Sequence, residues 1–247
     1  MTIDDEDDLV RLRAIGAIVA ETLRFMGSKL EPGITTKELD DLGRERLDAA
    51  GARSAPEVAY DFPGATCISV HPAVAHGIPG NQVIRAGDLV NIDVSAEKDG
   101  LFADTGASFI VPPARPEAMA LCHGTRLALD SAVKAVRAGR PLNIIGRTVE
   151  EVARRQGLSI VRNLQSHGVG TALHEEPHHI PSYYDPHDHR RIHAGMVFTI
   201  EPFLSTGAEW ADETGDGWTL ATAPRHLTAQ YEHTLVATRS GAIVVTR

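Results

Sequence analysis

The chain has little sulfur, no run of basic residues and no long apolar stretch. Its two cysteines, Cys67 and Cys122, stand far apart in 247 residues, which argues against a disulfide scaffold and fits a reducing compartment. Both read as small buried residues rather than ligands. Lysine and arginine number 24 against 33 aspartates and glutamates, a formal net charge of −9. Without a basic patch, a nucleic-acid backbone or an anionic membrane is a poor partner. No apolar segment is long enough to span a bilayer and no basic-then-apolar leader follows Met1, so a cytoplasmic location is expected. What the chain does have is 43% hydrophobic residues and 22 glycines. That suffices to bury a full core as one α/β or α+β domain or as two fused halves.

The acidity is partly local. Asp4, Asp5, Glu6, Asp7 and Asp8 read as a solvated lead into a first helix, favourable beside its positive end. Leu9, Leu12, Ile15, Val19, Leu23 and Met26 recur at helical spacing until Glu31-Pro32-Gly33 breaks the pattern. A second helix is predicted from the Thr35/Glu38 capping box, with Leu39, Leu42 and Leu47 as its face and Gly51 as its left-handed stop. Further on, Pro116 starts a helix through Leu121, Leu127, Leu129, Val133 and Val136, and Asn143 is a candidate cap for one ending near Gly157. Strand signals follow at 160–161, 196–203, 220–222 and 235–238. Each half therefore reads helix, Pro/Gly break, helix, strands. We expect an internal duplication, halves of about 1–115 and 116–247 in one domain, with the sheets as a shared platform covered by helices.

Five residues stand in settings too apolar for bare charge. Asp93 and Asp104 flank a predicted hairpin turn at Lys98-Asp99-Gly100, His167 opens a Gly-rich segment, and Glu201 and Glu232 sit in apolar, strand-like runs. An unpaired carboxylate removed from water costs several kcal/mol or shifts its pKa until neutral. Two divalent cations would balance four carboxylates, and such pairs are a recurrent device for hydrolysing amide and phosphate bonds. With the loop centred between Lys98 and Asp99, Asp93 falls directly opposite Asp104 on one face. On spacing alone a solvated pair of aspartates is as good a reading. His76, before a Gly and a Pro, and His174, before Glu175-Glu176-Pro177, are candidate pocket side chains, although surface histidines would look the same. His187, His189 and His193 lie among Asp and Arg and read as a solvated loop.

Taken together and in order, Ala-His-Gly-Ile-Pro at 75–79, Asn91-Ile92-Asp93-Val94 with Asp104-Thr105, Ser-His-Gly-Val-Gly at 166–170, His-Glu-Glu-Pro at 174–177, Phe-Thr-Ile-Glu-Pro at 198–202 and Ala-Gln-Tyr-Glu-His-Thr at 229–234 resemble the type I methionine aminopeptidases. The resemblance spans nearly the whole chain. It implies an α+β, duplicated "pita-bread" fold with a curved, mainly antiparallel sheet under two helix pairs. It also implies that Asp93, Asp104, His167, Glu201 and Glu232 hold two divalent ions (Co, Mn, Fe or Zn), Asp104 and Glu232 bridging and Asp93 chelating one. His76 and His174 would touch the substrate, Glu201 would accept a proton from the attacking water, and Phe62, Cys67 and Trp218 would line the methionine side-chain site.

The implied partner is a peptide or nascent-chain N-terminus, met by a monomer with possible transient docking on the ribosome. Ala59, Leu173 and Ala75 depart from the bulky or Cys residues that relatives carry, and the segment 180–191 could form a rim. Two alternatives are a proline-directed (Xaa-Pro) peptidase of the same fold and a noncatalytic peptide-binding member. The first would normally bring an extra N-terminal domain, and the second would be expected to lose ligands.

Overall fold

The computed structural model describes residues 1–3 and 5–247; Asp4 lies outside the described residues, and with it one member of the acidic run. Helix α1 (Glu6–Lys29) starts where the Asp5 carboxylate accepts from the Asp8 amide, with Glu6, Asp7 and Asp8 in its first turn. The run is thus largely the beginning of the helix, where negative charge complements unpaired amides. Leu12, Ile15, Val19, Leu23 and Met26 form its buried face. Helix α2 (Thr36–Ala49) carries the complete capping box from Thr35 and Glu38. Gly51 follows it at φ 66°, the left-handed conformation expected there.

Strand β1 (Arg53–Ser54), the short helix α3 (Ala55–Tyr60), β2 (Cys67–Val70) and β3 (Ala73–Ala75) lead to a long hairpin of β4 (Leu89–Lys98) and β5 (Leu101–Ile110). Its turn is Asp99-Gly100, with φ of 54° and 81°. Positive φ at both central residues is the two-residue turn whose twist matches the flanking strands. The centre consequently lies one residue later than the sequence suggested. Asp93 faces Gly106 and Asp104 faces Ser95, so the two aspartates are diagonal neighbours rather than directly opposed. They still share a face, because a shift of two in the pairing sum preserves parity.

The second half repeats the order of elements. Helix α4 (Pro116–Ala135) packs on α5 (Ile144–Gln156). Leu121, Leu129 and Val133 of α4 are buried, whereas Leu127 is 39% exposed and off the core face. Asn143 precedes α5 but its side chain does not cap it; the amide donates to the Asp185 and Asp188 carbonyls instead. The strands that follow are β6 (Ser159–Ile160), β7 (Ser166–Gly168), β8 (Glu175–Ile180), β9 (Val197–Ile200), β10 (Phe203–Ser205), β11 (Asp212–Glu213), β12 (Leu220–Ala221), β13 (Thr228–Gln230), β14 (His233–Ala237) and β15 (Ala242–Val244). The expected single run 196–203 is two strands, because Glu201-Pro202 leaves the sheet and β10 pairs elsewhere.

All pairings are antiparallel. The order is β15-β14-β9-β7-β8 in one sheet and β1-β4-β2, with β5 on β4, in another; β13-β10-β6 and β11-β12-β3 are smaller. The larger two meet along β5. The Glu232 amide donates to the Gly106 carbonyl at 2.9 Å, and the Thr234 hydroxyl accepts from the Asp104 amide at 2.9 Å while donating to its carbonyl at 2.7 Å. A continuous apolar core of α1, α2, α4, α5 and the sheets' covered faces includes Leu12, Leu39, Ile92, Leu121, Ile145 and Phe198, each under 2% exposed. This rigid seam places β4, β5, β7, β9 and the β13–β14 junction around one cavity.

Candidate metal centre and peptide cleft

Along each contributing strand, the pleat aims every second side chain at the cavity. Asp93 on β4, Asp104 on β5, His167 on β7, Glu201 just after β9 and Glu232 between β13 and β14 converge from five segments. One ligand atom each of Asp104, His167 and Glu232 lies within 4.8 Å of the others. His167 Nε2 is 3.4 Å from Glu201 Oε1 and 3.8 Å from Asp104 Oδ2. Asp104, His167, Glu201 and Glu232 are buried, and half-buried Asp93 lines the cavity wall.

Electrostatics oppose four ionised carboxylates in this cluster without a counter-charge. Burial, then the neighbouring Asp104 and Glu201 charges, push the Asp93 carboxyl well above the usual range. Glu201 is raised by burial and Asp104, and Glu232 by burial and by Asp104, Glu201 and Asp93. Asp104 is raised chiefly by burial. Burial and the nearby His174 lower His167 to about 3, so its imidazole is neutral near pH 7.

The residues fit a cation on two counts. Asp104 Oδ1 and Glu232 Oε1 are buried with no hydrogen-bond partner, a rare and costly condition unless something else coordinates them. His167 Nδ1 lies 2.9 Å from the Gly168 carbonyl. Only a protonated Nδ1 can bond there, so Nε2 presents a lone pair to two carboxylates. Acceptors facing acceptors need a positive charge between them, and fixing the far nitrogen on a carbonyl is how proteins orient metal-binding histidines.

Polar residues the sequence reading missed hold these side chains in place. The Gln230 amide donates to Glu232 Oε2 at 3.1 Å and is itself oriented by Asn91, 2.8 Å away. Gly106 makes room for it: an added Cβ would stand 2.4 Å from the Gln230 oxygen. The Thr199 hydroxyl donates to Glu201 Oε1 at 3.0 Å and accepts from the His167 amide at 3.1 Å. Asn91, Thr199 and Gln230 each stand two positions before an acidic residue. That spacing was available in the sequence.

His76 and His174 both line the cavity, which has a volume of ≈ 730 Å³. Each is exposed by surface, but into this concavity, where enclosure lowers both pKa values, His174 to about 4 with His76 and His178 contributing. The His174 ring centroid is 4.0 Å from that of His167, and Tyr60 Oη is 2.7 Å from His174 Nδ1. Phe62 and Trp218 meet edge to face at 5.1 Å, with Cys67 and Leu173 on the same cavity wall. Ala59 is exposed and absent from that wall; the tyrosine beside it, Tyr60, lines it instead, so the supposed lack of a bulky residue is not a lack. Ala75 is buried at the β3–β12 pairing. His187, His189 and His193 are exposed away from the cavity lining, as expected of a loop.

A model of metallopeptidase family M24 matches residues 10–239. The chain is 46% identical over 248 residues to "Methionine aminopeptidase 2" of Bacillus subtilis (strain 168), covering all of both chains. The structure of methionine aminopeptidase from Rickettsia prowazekii superposes with a TM-score of 0.95 at 34% identity, again over 100% of each chain. Prolidase from Pyrococcus furiosus gives a TM-score of 0.78 at 20% identity, the present chain spanning 65% of it, a likeness of fold alone. The α+β pita-bread class expected from the sequence is the class of these structures. Among the described residues, no helix is long and apolar enough to cross a membrane.

Proposed function

The chain belongs to metallopeptidase family M24, and on that premise we propose that it removes the N-terminal methionine from peptides and nascent proteins with a small second residue. It is a hydrolase that uses divalent metal. In this reading Asp93, Asp104, His167, Glu201 and Glu232 would hold two divalent ions. The observation that carries it is the pair of orphaned carboxylate oxygens beside an imidazole lone pair. An oxygen-rich set with one nitrogen suits Mn, Fe or Co about as well as Zn.

When bound, the ions supply a water acidified towards neutrality and a Lewis acid for the scissile carbonyl. The protein's own groups do the rest. Glu201, whose Oε1 is 3.4 Å from His167 Nε2 at the cavity wall, accepts the proton of the attacking water. Tyr60 Oη lies 2.7 Å from His174 Nδ1, and the tautomer in which Nδ1 accepts from that hydroxyl leaves Nε2–H as the donor to the developing oxyanion. His76 contacts the amide nitrogen or leaving group. Phe62, Cys67 and Trp218 receive the unbranched apolar side chain, with a selectivity of about 1–3 kcal/mol per methylene.

The ligands come from both sides of the seam, Asp93 and Asp104 before it and His167, Glu201 and Glu232 after it. That arrangement supports one catalytic domain of two pseudo-repeat halves, about 1–115 and 116–247. A monomer in the cytoplasm, docking transiently on the ribosome, is the setting this activity would use. No specific observation favours the proline-directed or noncatalytic alternatives.

The test is hydrolysis of Met-Ala-Xaa and Xaa-Pro peptides after metal loading, each with and without chelator. Chelator-sensitive cleavage of the first alone is expected. Cleavage of Xaa-Pro instead, or none despite bound metal, would overturn the reading.

A further inference from the structure

The cavity does not end at the histidines. Beyond them its wall continues to Arg162, Asn163, His178, His179, Tyr183 and Trp210, which the proposed chemistry does not use. Arg162 is exposed, and its guanidinium carbon lies 3.9 Å from the Tyr183 ring centroid. Stacking of this kind fixes the plane of the guanidinium while leaving its donor edge free. Among the described residues no carboxylate pairs with it. Of the acids that line a neighbouring concavity with Arg162, namely Glu150, Glu151 and Glu209, Glu151 pairs with Arg155, and Glu209 accepts from the Arg162 amide through its backbone carbonyl at 2.9 Å.

The segment paired with Arg162 is also built. Asn163 spends both ends of its amide on the Ala211 backbone, donating to the carbonyl at 2.8 Å and accepting from the amide at 3.0 Å. That clamp holds the preceding residue, Trp210, at the mouth with 61% of its surface exposed. An exposed indole on the segment paired with that of a stacked, unpaired arginine, both on the wall of the catalytic cavity, is a surface for an extended chain.

We infer that this mouth is a downstream subsite in which Arg162 selects peptides carrying an acidic side chain beyond the second residue, with Trp210 covering the peptide. The inference rests on the peptidase reading above. It also runs against the chain's net charge of −9, so general electrostatic attraction cannot mimic it.

The experiment compares kcat/KM of the metal-loaded enzyme for Met-Ala peptides with Glu at the third, fourth or fifth position against the same peptides with Gln. A preference for Glu of about fivefold at one position is expected, about 1 kcal/mol at 1.4 kcal/mol per tenfold, the upper end for an exposed ion pair. It should shrink with added salt. Arg162→Ala should bring the Glu/Gln ratio to about one, and Arg162→Lys, which keeps charge but loses the stacked fork, should give an intermediate ratio. A ratio of one at every position in the native enzyme, or a ratio that survives Arg162→Ala, overturns the subsite alone. Failure to cleave any of the peptides overturns the peptidase reading and the subsite with it.

Discussion

His174 shows how much of this site is decided by single protons. Its pKa is lowered to about 4, so it is neutral at working pH, and a neutral imidazole can donate from only one nitrogen. When the Tyr60 hydroxyl, 2.7 Å away, donates to Nδ1, that nitrogen is Nε2, the tautomer the proposed oxyanion role requires. His174→Ala should therefore lower kcat by about 10²–10³, the usual loss for one oxyanion donor, while metal content stays unchanged. Tyr60→Phe should cost less, because it frees the tautomer without removing the ring. Kinetics alongside elemental analysis checks both; loss of metal in His174→Ala would place the histidine among the ligands and sink the assignment.

At the scale of elements, the pocket wall depends on a residue well outside it. Asp40, on the buried face of α2, accepts from the Ala65 amide at 3.2 Å, the Thr66 amide at 2.8 Å and the Thr66 hydroxyl at 2.7 Å. This anchors the loop between Phe62 and Cys67. Burial raises the Asp40 pKa, and these hydrogen bonds oppose the rise. Asp40→Ala leaves buried donors unpaired, so a loss of about 1–3 kcal/mol is expected, with KM for Met-Ala peptides raised more than kcat is lowered. Thermal melts and kinetics read the two effects, and an unchanged Tm would show that α2 does not hold the loop.

The same scale marks where sequence stops being informative. Helices α1, α2 and α5 were legible from period, capping box and terminal glycines, because those signals are local. The hairpin was legible but its register was not: only the positive φ of both Asp99 and Gly100 decides between two centres one residue apart. Tyr60 was hidden for a different reason. It ends α3, a helix of 6 residues, too short to show a period, and it reaches His174 across 114 positions of chain. The five clustered residues could be named from motif and apolar setting; of the groups that orient them, Thr199 and Gln230 lie two positions from the carboxylates they hold, whereas the Asn91–Gln230 contact depends on pairing across the seam.

For the whole molecule, the clustered carboxylates make stability depend on metal and pH together. In the metal-free fold Asp93, Asp104, Glu201 and Glu232 all have raised pKa values. Groups raised in the folded state contribute stability below their ordinary range, which is lost as pH climbs through the folded values. His167, lowered to about 3 from 6.5, acts oppositely: its contribution is present above its unfolded value and disappears as pH falls towards 3. Divalent ions bind the ionised carboxylates and the neutral imidazole, so the stability they add must grow with pH. Chelator should therefore lower Tm by more at about pH 8 than at about pH 5.5. The comparison with and without chelator at each pH cancels every titrating group remote from the site. Glu232→Gln, which removes one buried charge and supplies a donor near the orphaned Asp104 oxygen, should narrow the gap between the two pH values. Equal chelator effects at both would mean that the carboxylate cluster, despite its geometry, is not where the metal's binding energy enters the fold.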